Sequence, residues 1–165
     1  MKKIMFIVLL LGGMYGAALA QDKEVSDEVA KVTTIIDEHT PILEEFQVKL
    51  GEHKVHLQER IIVLKYHKGN KEVSEASTLV VGTIEDYYTA VTEKVQQYES
   101  VWFDQTRNII AIYTRYGVLR EATGGKNNDL QGFVTKHGRY LDLLDNVKSD
   151  LIGVYTDLSF IKNNI

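Results

Sequence analysis

The chain contains no cysteine. That excludes disulfides, thiolate zinc sites, CxxCH haem attachment, lipoprotein acylation and a cysteine nucleophile. Proline occurs once, at Pro41, which argues against a loop-rich or many-turned fold. All three methionines, Met1, Met5 and Met14, stand at the start of the chain, so everything beyond them is free of sulfur. No run of basic residues is longer than the pair Lys2-Lys3, and 23 acidic side chains outnumber 19 basic ones for a formal charge of −4. Nucleic acid is therefore not an expected partner, because phosphate binding depends on clustered Lys and Arg. No Asn-x-Ser/Thr sequon is present, as suits a bacterial product. GxSxG, HExxH and EF-hand patterns are missing, and Gly124-Gly125-Lys126 lacks the upstream glycine, following hydroxyl residue and preceding strand of a phosphate loop.

What remains is an ordinary globular composition over 165 residues, 44% hydrophobic and 25% charged. Lys2 and Lys3 precede an apolar run from Ile4 to Leu11, and the small-residue ending Ala17-Ala18-Leu19-Ala20 follows. A positive start, a short apolar stretch and an Ala-x-Ala ending are the features of a secretory signal. Residues 1–20 are read as a cleavable signal peptide cut after Ala20, and the protein as exported, periplasmic or secreted. Loss of Lys2 and Lys3 would take the formal charge from −4 to −6. Residues 21–165 are read as a single helical-bundle domain.

Three heptad-patterned segments fill that domain. The first, from about Ser26 to His67, has the seam Val25, Val29, Val32, Ile36, His39, Leu43, Phe46, Leu50, His53, Leu57, Arg60, Leu64, His67. A 3.5-residue period sustained this long marks a helix packed lengthwise on a partner. Thr40-Pro41 followed by Glu44-Glu45 reads as a helix start, so a kink or short break is expected near Thr40. The second segment, from about Glu72 to Thr123, has the seam Ser77, Val81, Ile84, Tyr88, Val91, Val95, Tyr98, Trp102, Gln105, Ile109, Ile112, Tyr116, Leu119. Phe103, Thr106, Ile110 and Tyr113 form a second face on it, which predicts a middle helix touching two neighbours. After Gly124-Gly125 and a polar turn, Asp129 is the expected cap of a third helix running to about Asn163. Its seam is Leu130, Val134, His137, Leu141, Leu144, Lys148, Leu151, Tyr155, Leu158, flanked by Phe133, Tyr140, Val147, Val154 and Ile161 at strict sevens.

Short connections make neighbours antiparallel. The expected fold is all-α: an elongated antiparallel up-down-up three-helix bundle with coiled-coil-like packing, or four helices if the chain breaks at Pro41. The β-branched runs Arg60–Tyr66 and Ser77–Val81 around the turn Lys68-Gly69-Asn70-Lys71 also permit a β-hairpin at the tip of the rod. Gly82, Gly117, Gly132, Gly138 and Gly153 fall inside predicted helices, as sites of close approach or of local weakness.

Candidate sites are few. His39, His53, His67 and His137 lie on seams, where imidazoles that titrate near neutrality are candidates for a pH switch. His53 and His56, at i and i+3, share a helix face and are weak metal-ligand candidates. They lack a third ligand, and with no Glu-x-x-His motif a di-iron site is not supported. No catalytic residue, cofactor or functional metal is expected. Val48, Val55 and Ile62 recur at strict sevens opposite the first seam. With Tyr87, Phe103 and Tyr113 they are the candidate partner-binding residues, and they also favour a homo-oligomer. The pattern leaves only short loops to host chemistry. The expected function is non-enzymatic: a protein-binding adaptor, structural component or chaperone-like binder of the cell envelope. The alternatives are a membrane-active protein inserting an apolar tip around residues 61–81, and a histidine-based pH- or metal-sensing bundle.

Overall fold

The structure, a computed structural model, describes the backbone of residues 2–123 and 129–165 and the side chains of residues 25–118 and 130–165. It is all-helical: α1 spans Lys2–Tyr66, α2 Lys71–Asp104, α3 Thr106–Thr123 and α4 Asp129–Lys162. The expected turn at Gly124–Asn128 lies outside the described residues, as do the side chains of residues 1–20 and of Asp129. Among the described residues no helix is long and apolar enough to cross a membrane.

The helices divide into two compact units. One comprises Met1–Ile36 with Gln105–His137, and the other Asp37–Asp104 with Gly138–Ile165. In the larger unit the aliphatic residues of the heptad seams meet in one core. Leu43, Leu50, Leu57 and Leu64 of α1, Val81, Ile84, Val91 and Val95 of α2, and Leu144, Val147, Leu151, Val154, Leu158 and Ile161 of α4 are all buried. Ser77 is buried with them at no polar cost, because its hydroxyl donates to the Val73 carbonyl at 2.6 Å.

Contacts across this unit fix its topology. His39 stacks on Tyr98 and His53 meets Tyr87, so α1 and α2 run antiparallel. Glu99 pairs with Lys148 and Glu85 with Lys162, so α2 and α4 also run antiparallel. Glu44 pairs with Arg139 and Lys65 lies over Phe160, which makes α1 and α4 parallel. This is the up-down-up arrangement. In the smaller unit, Val32, Ile36, Ile112, Leu130, Phe133 and His137 are buried. Tyr113 beside His137 and Tyr116 bonded to Gln131 set α3 antiparallel to the start of α4.

The fourth helix does not come from a break at Pro41. α1 passes through Pro41 uninterrupted, and the expected break near Thr40 is absent. Proline there removes one backbone hydrogen bond. The ring sits at an exposed position while Leu43 on the seam stays buried. The break comes instead at Gln105, inside the expected second helix. Residues 104–108, Asp-Gln-Thr-Arg-Asn, are polar without interruption and supply local alternatives to the helix ladder. Asn108 Nδ2 donates to Gln105 Oε1 at 2.9 Å, and the Ile109 amide donates to the Gln105 carbonyl at 3.0 Å, which starts α3.

The hairpin alternative is also overturned: residues 60–81 form the end of α1, a tight turn and the start of α2. Gly69 takes the left-handed conformation at φ 82°, which favours glycine past a helix end. Asn70 caps α2, its side-chain oxygen accepting from the Val73 amide at 3.2 Å. Among the described helix-interior glycines, only Gly153 faces a close neighbour, the Lys54 side chain; a Cβ at Gly82, Gly117, Gly132 or Gly138 would meet nothing within 4 Å.

Candidate functional site

A groove lies between α1 and α2 in the larger unit. It has a volume of about 450 Å3, is open to solvent, and is lined by His53, His56, Glu59, Arg60, Val63, Val80, Thr83 and Ile84. The i, i+3 spacing of His53 and His56 places both on its wall, but they do not converge. His53 turns edge-on to Tyr87, with ring centroids 5.0 Å apart, whereas His56 Nδ1 lies 3.6 Å from Glu59 Oε2. Among the described residues no group of three His, Asp or Glu side chains is placed to hold a metal ion. Burial lowers the His53 pKa, with the neighbouring His56 adding to the effect, so the neutral ring is favoured.

The other seam histidines have different fates. His39 is half-buried at the far end of the same unit. Its ring stacks on Tyr98 at 3.7 Å and 13°, and its Nδ1 shares a 3.1 Å hydrogen bond with the Tyr140 hydroxyl. Trp102 packs on Tyr140 at 4.8 Å and completes an aromatic cluster. Burial lowers the His39 pKa, opposed by Glu38 and assisted by Lys94. Burial and the neighbouring Tyr98 push the Tyr140 hydroxyl up to about 12.

His137 is buried in the smaller unit. It stacks on Phe133 at 5.7 Å, and its Nδ1 shares a 2.7 Å hydrogen bond with the Tyr113 hydroxyl. Burial lowers its pKa as well. His67 corrects the expected seam: it is exposed in the turn after α1, because the helix ends before the heptad reaches it.

Of the partner-binding candidates, Val48, Val55 and Ile62 are 62%, 54% and 55% exposed. Tyr87 is half-buried between Phe46 and His53, so little of its ring is free. Phe103 is 79% exposed and Ile110 60%. α2 does touch two neighbours, α1 and α4, but the expected second apolar face is uncovered at Phe103 and Ile110. The break at Gln105 separates Phe103 on α2 from Ile110 and Tyr113 on α3. Tyr113 turns toward Phe133 and His137.

Tyr155, expected in the core, is exposed and leans on Tyr88. The row Tyr140, Val147, Val154 and Ile161 takes the centre of the bundle instead and displaces Tyr155 to the edge.

Two features were not foreseen from the pattern. Arg60 joins the α1–α2 groove, and a second groove of about 440 Å3 between α1 and α4 gathers Ile61, Ile62, Lys65, Thr156 and Phe160. No protein-family model, curated protein or solved structure matches the chain.

Proposed function

We propose that the chain is an exported, non-enzymatic helical bundle that acts in the cell envelope by binding a protein partner, as an adaptor, structural component or chaperone-like binder. The observation that carries this reading is the exposed row Val48, Val55 and Ile62 on α1, seven residues apart, behind a seam whose leucines are fully buried. An aliphatic row at helical spacing that the chain's own helices do not use fits a partner helix carrying a matching stripe. The partner is a second copy or another envelope protein. The leader-like residues 1–20 support export.

Because the chain has no cysteine, Val55→Cys gives a unique cross-linking site. In native envelopes we expect one dominant adduct, lost when Val48→Asp is added. The chain recovered from the envelope should begin at Gln21. A Val55→Cys chain that forms no adduct and sediments as a monomer would overturn the binding reading, and an intact leader on that chain would overturn the export reading.

A second reading, a pH-sensing bundle, is supported by His39 and His137, each held among aromatic rings and bonded to a tyrosine hydroxyl.

A further inference from the structure

We propose that the end of the larger unit where α1 and α4 stop docks onto an anionic lipid surface. Ile62 and Tyr66 stand one turn apart on the outer face of α1, 55% and 83% exposed, with Leu64 between them turned into the core. Phe160, near the end of the parallel helix α4, is 37% exposed. Ile61, Ile62 and Phe160 line the open groove between these helix ends, and the Lys65 amine sits 5.2 Å from the Phe160 ring centroid at its rim.

Charge is segregated at the same place. From Arg60 to Lys71 the chain carries Arg60, Lys65, Lys68 and Lys71 and no acid, although acids are in excess over the whole sequence. Lys65, Lys68 and Lys71 all project from exposed positions at or beside the turn. Of these, Lys71 alone has an ion-pair partner, Glu75 at 3.7 Å across a fully solvated gap, a weak competitor for a phosphate. Asp157 lines the groove itself, Glu59, Glu72 and Glu75 bound the patch, and Lys162 beside it is engaged by Glu85.

Exposed tyrosine and aliphatic side chains ringed by lysines match the chemistry of a bilayer interface. The rings and methyl groups enter the acyl boundary, while lysine stems lie along them and the amines reach lipid phosphates. A helical protein partner fits this patch less well. Its apolar residues come from the ends of two parallel helices and its cations from a turn, so no single stripe matches them, whereas a plane touches all at once. The patch shares only Ile62 with the row assigned above to a protein partner, so the two readings fail separately.

The test uses the full chain with vesicles of phosphatidylcholine, with and without phosphatidylglycerol. Partitioning should require the anionic lipid and weaken with salt. Lys65→Glu, Lys68→Glu and Lys71→Glu together should reduce it on the order of 100-fold, at about 1 kcal/mol per lysine near the surface. An environment-sensitive fluorophore on Tyr66→Cys should shift to the blue on anionic vesicles, and one on Gln97→Cys, exposed at the other end of α2, should not. These positions are exposed, so unchanged helix content is expected throughout. Binding with an unmoved Tyr66→Cys label would place the contact elsewhere, on residues 4–20 for instance, and overturn the proposal. So would equal affinity for neutral vesicles, no binding at all, or a label that responds to a protein partner and not to lipid.

Discussion

The two ends of the larger unit are built on the same heptads and differ in what they do with them. At one end the seam carries large rings: His39, Tyr98, Trp102 and Tyr140 fill the space among three helices, and Tyr140 is only 1% exposed. At the other end the seam is aliphatic and equally closed, with Leu64, Leu158 and Ile161 buried, yet Ile62 and Tyr66 stand outside it in solvent. The first end puts its aromatic area into stability. The second leaves apolar area over, beside lysines. A seam constrains only the residues that face inward, so two ends with equally good cores can present unrelated surfaces.

The sharpest way to break this contrast is to truncate one tyrosine at each end. Tyr140→Ala removes a fully buried ring that touches His39 and Trp102, and should destabilise by about 3–5 kcal/mol in urea or thermal unfolding. Tyr66→Ala removes a ring in solvent and should change stability by less than about 0.5 kcal/mol. Comparable losses at the two positions would mean that the exposed end is also part of the folding core.

Acidification probes the same contrast through the histidines. In the folded state burial lowers the pKa values of His39, His53 and His137 below the ordinary 6.5. Between the depressed value and 6.5 the unfolded chain binds more protons than the folded one. Stability is therefore fully present above pH 6.5 and is lost as the pH falls through the folded-state values. Around His39 the facing groups are Glu38 and Lys94, which act in opposite directions, and the uncharged Tyr98 and Tyr140. The urea midpoint should fall between pH 7.5 and pH 5.5, a window above the range where exposed carboxylates near pKa 4.3 titrate. His39→Phe should make the fall shallower. A flat midpoint across the window would remove the histidines as pH-responsive elements.

The inward face of this protein was legible in its sequence because a helix seam is a strict geometric filter. Leu43, Leu50 and Leu57, or Val81, Ile84 and Val91, recur at the spacing that keeps one face turned to a partner, and all are buried. The break at Gln105 was hidden because Gln105 sits on the seam itself and Ile109 and Ile112 resume the phase after it. Hydrophobic phase is insensitive to a one-residue interruption, whereas the polar run around it was the available signal. Pro41 misled for the opposite reason: a local breaker was outweighed by burial along the rest of the helix.

The His39–Tyr98–Tyr140 cluster brings together residues far apart in the chain; His39 and Tyr98 were recognisable only as seam positions and Tyr140 only as a member of the flanking row. The grooves depend on side chains adjacent to the seam, such as Val63, Val80 and Phe160.

The smallest expected effect concerns the glycines, and it separates two readings of them that the sequence left open. A glycine kept for close helix packing has a neighbour where its Cβ would be; a glycine that only loosens the helix has open space there. At Gly82, in the middle of α2, a Cβ would meet nothing within 4 Å, and the position is exposed. Nothing in the folded state then opposes alanine. The substitution lowers the backbone entropy of the unfolded chain, so Gly82→Ala should stabilise by up to about 1 kcal/mol. Gly153 is the matched control. There the Lys54 amine would lie 3.2 Å from the new Cβ, so part of the gain is spent moving a lysine chain that now covers the glycine. A gain at Gly82 that exceeds the gain at Gly153, read from the urea midpoints of the two variants, would place the weakness in the helix itself. A loss at Gly82 would mean that something outside the chain sits against this face of α2, and that glycine is there to let it approach.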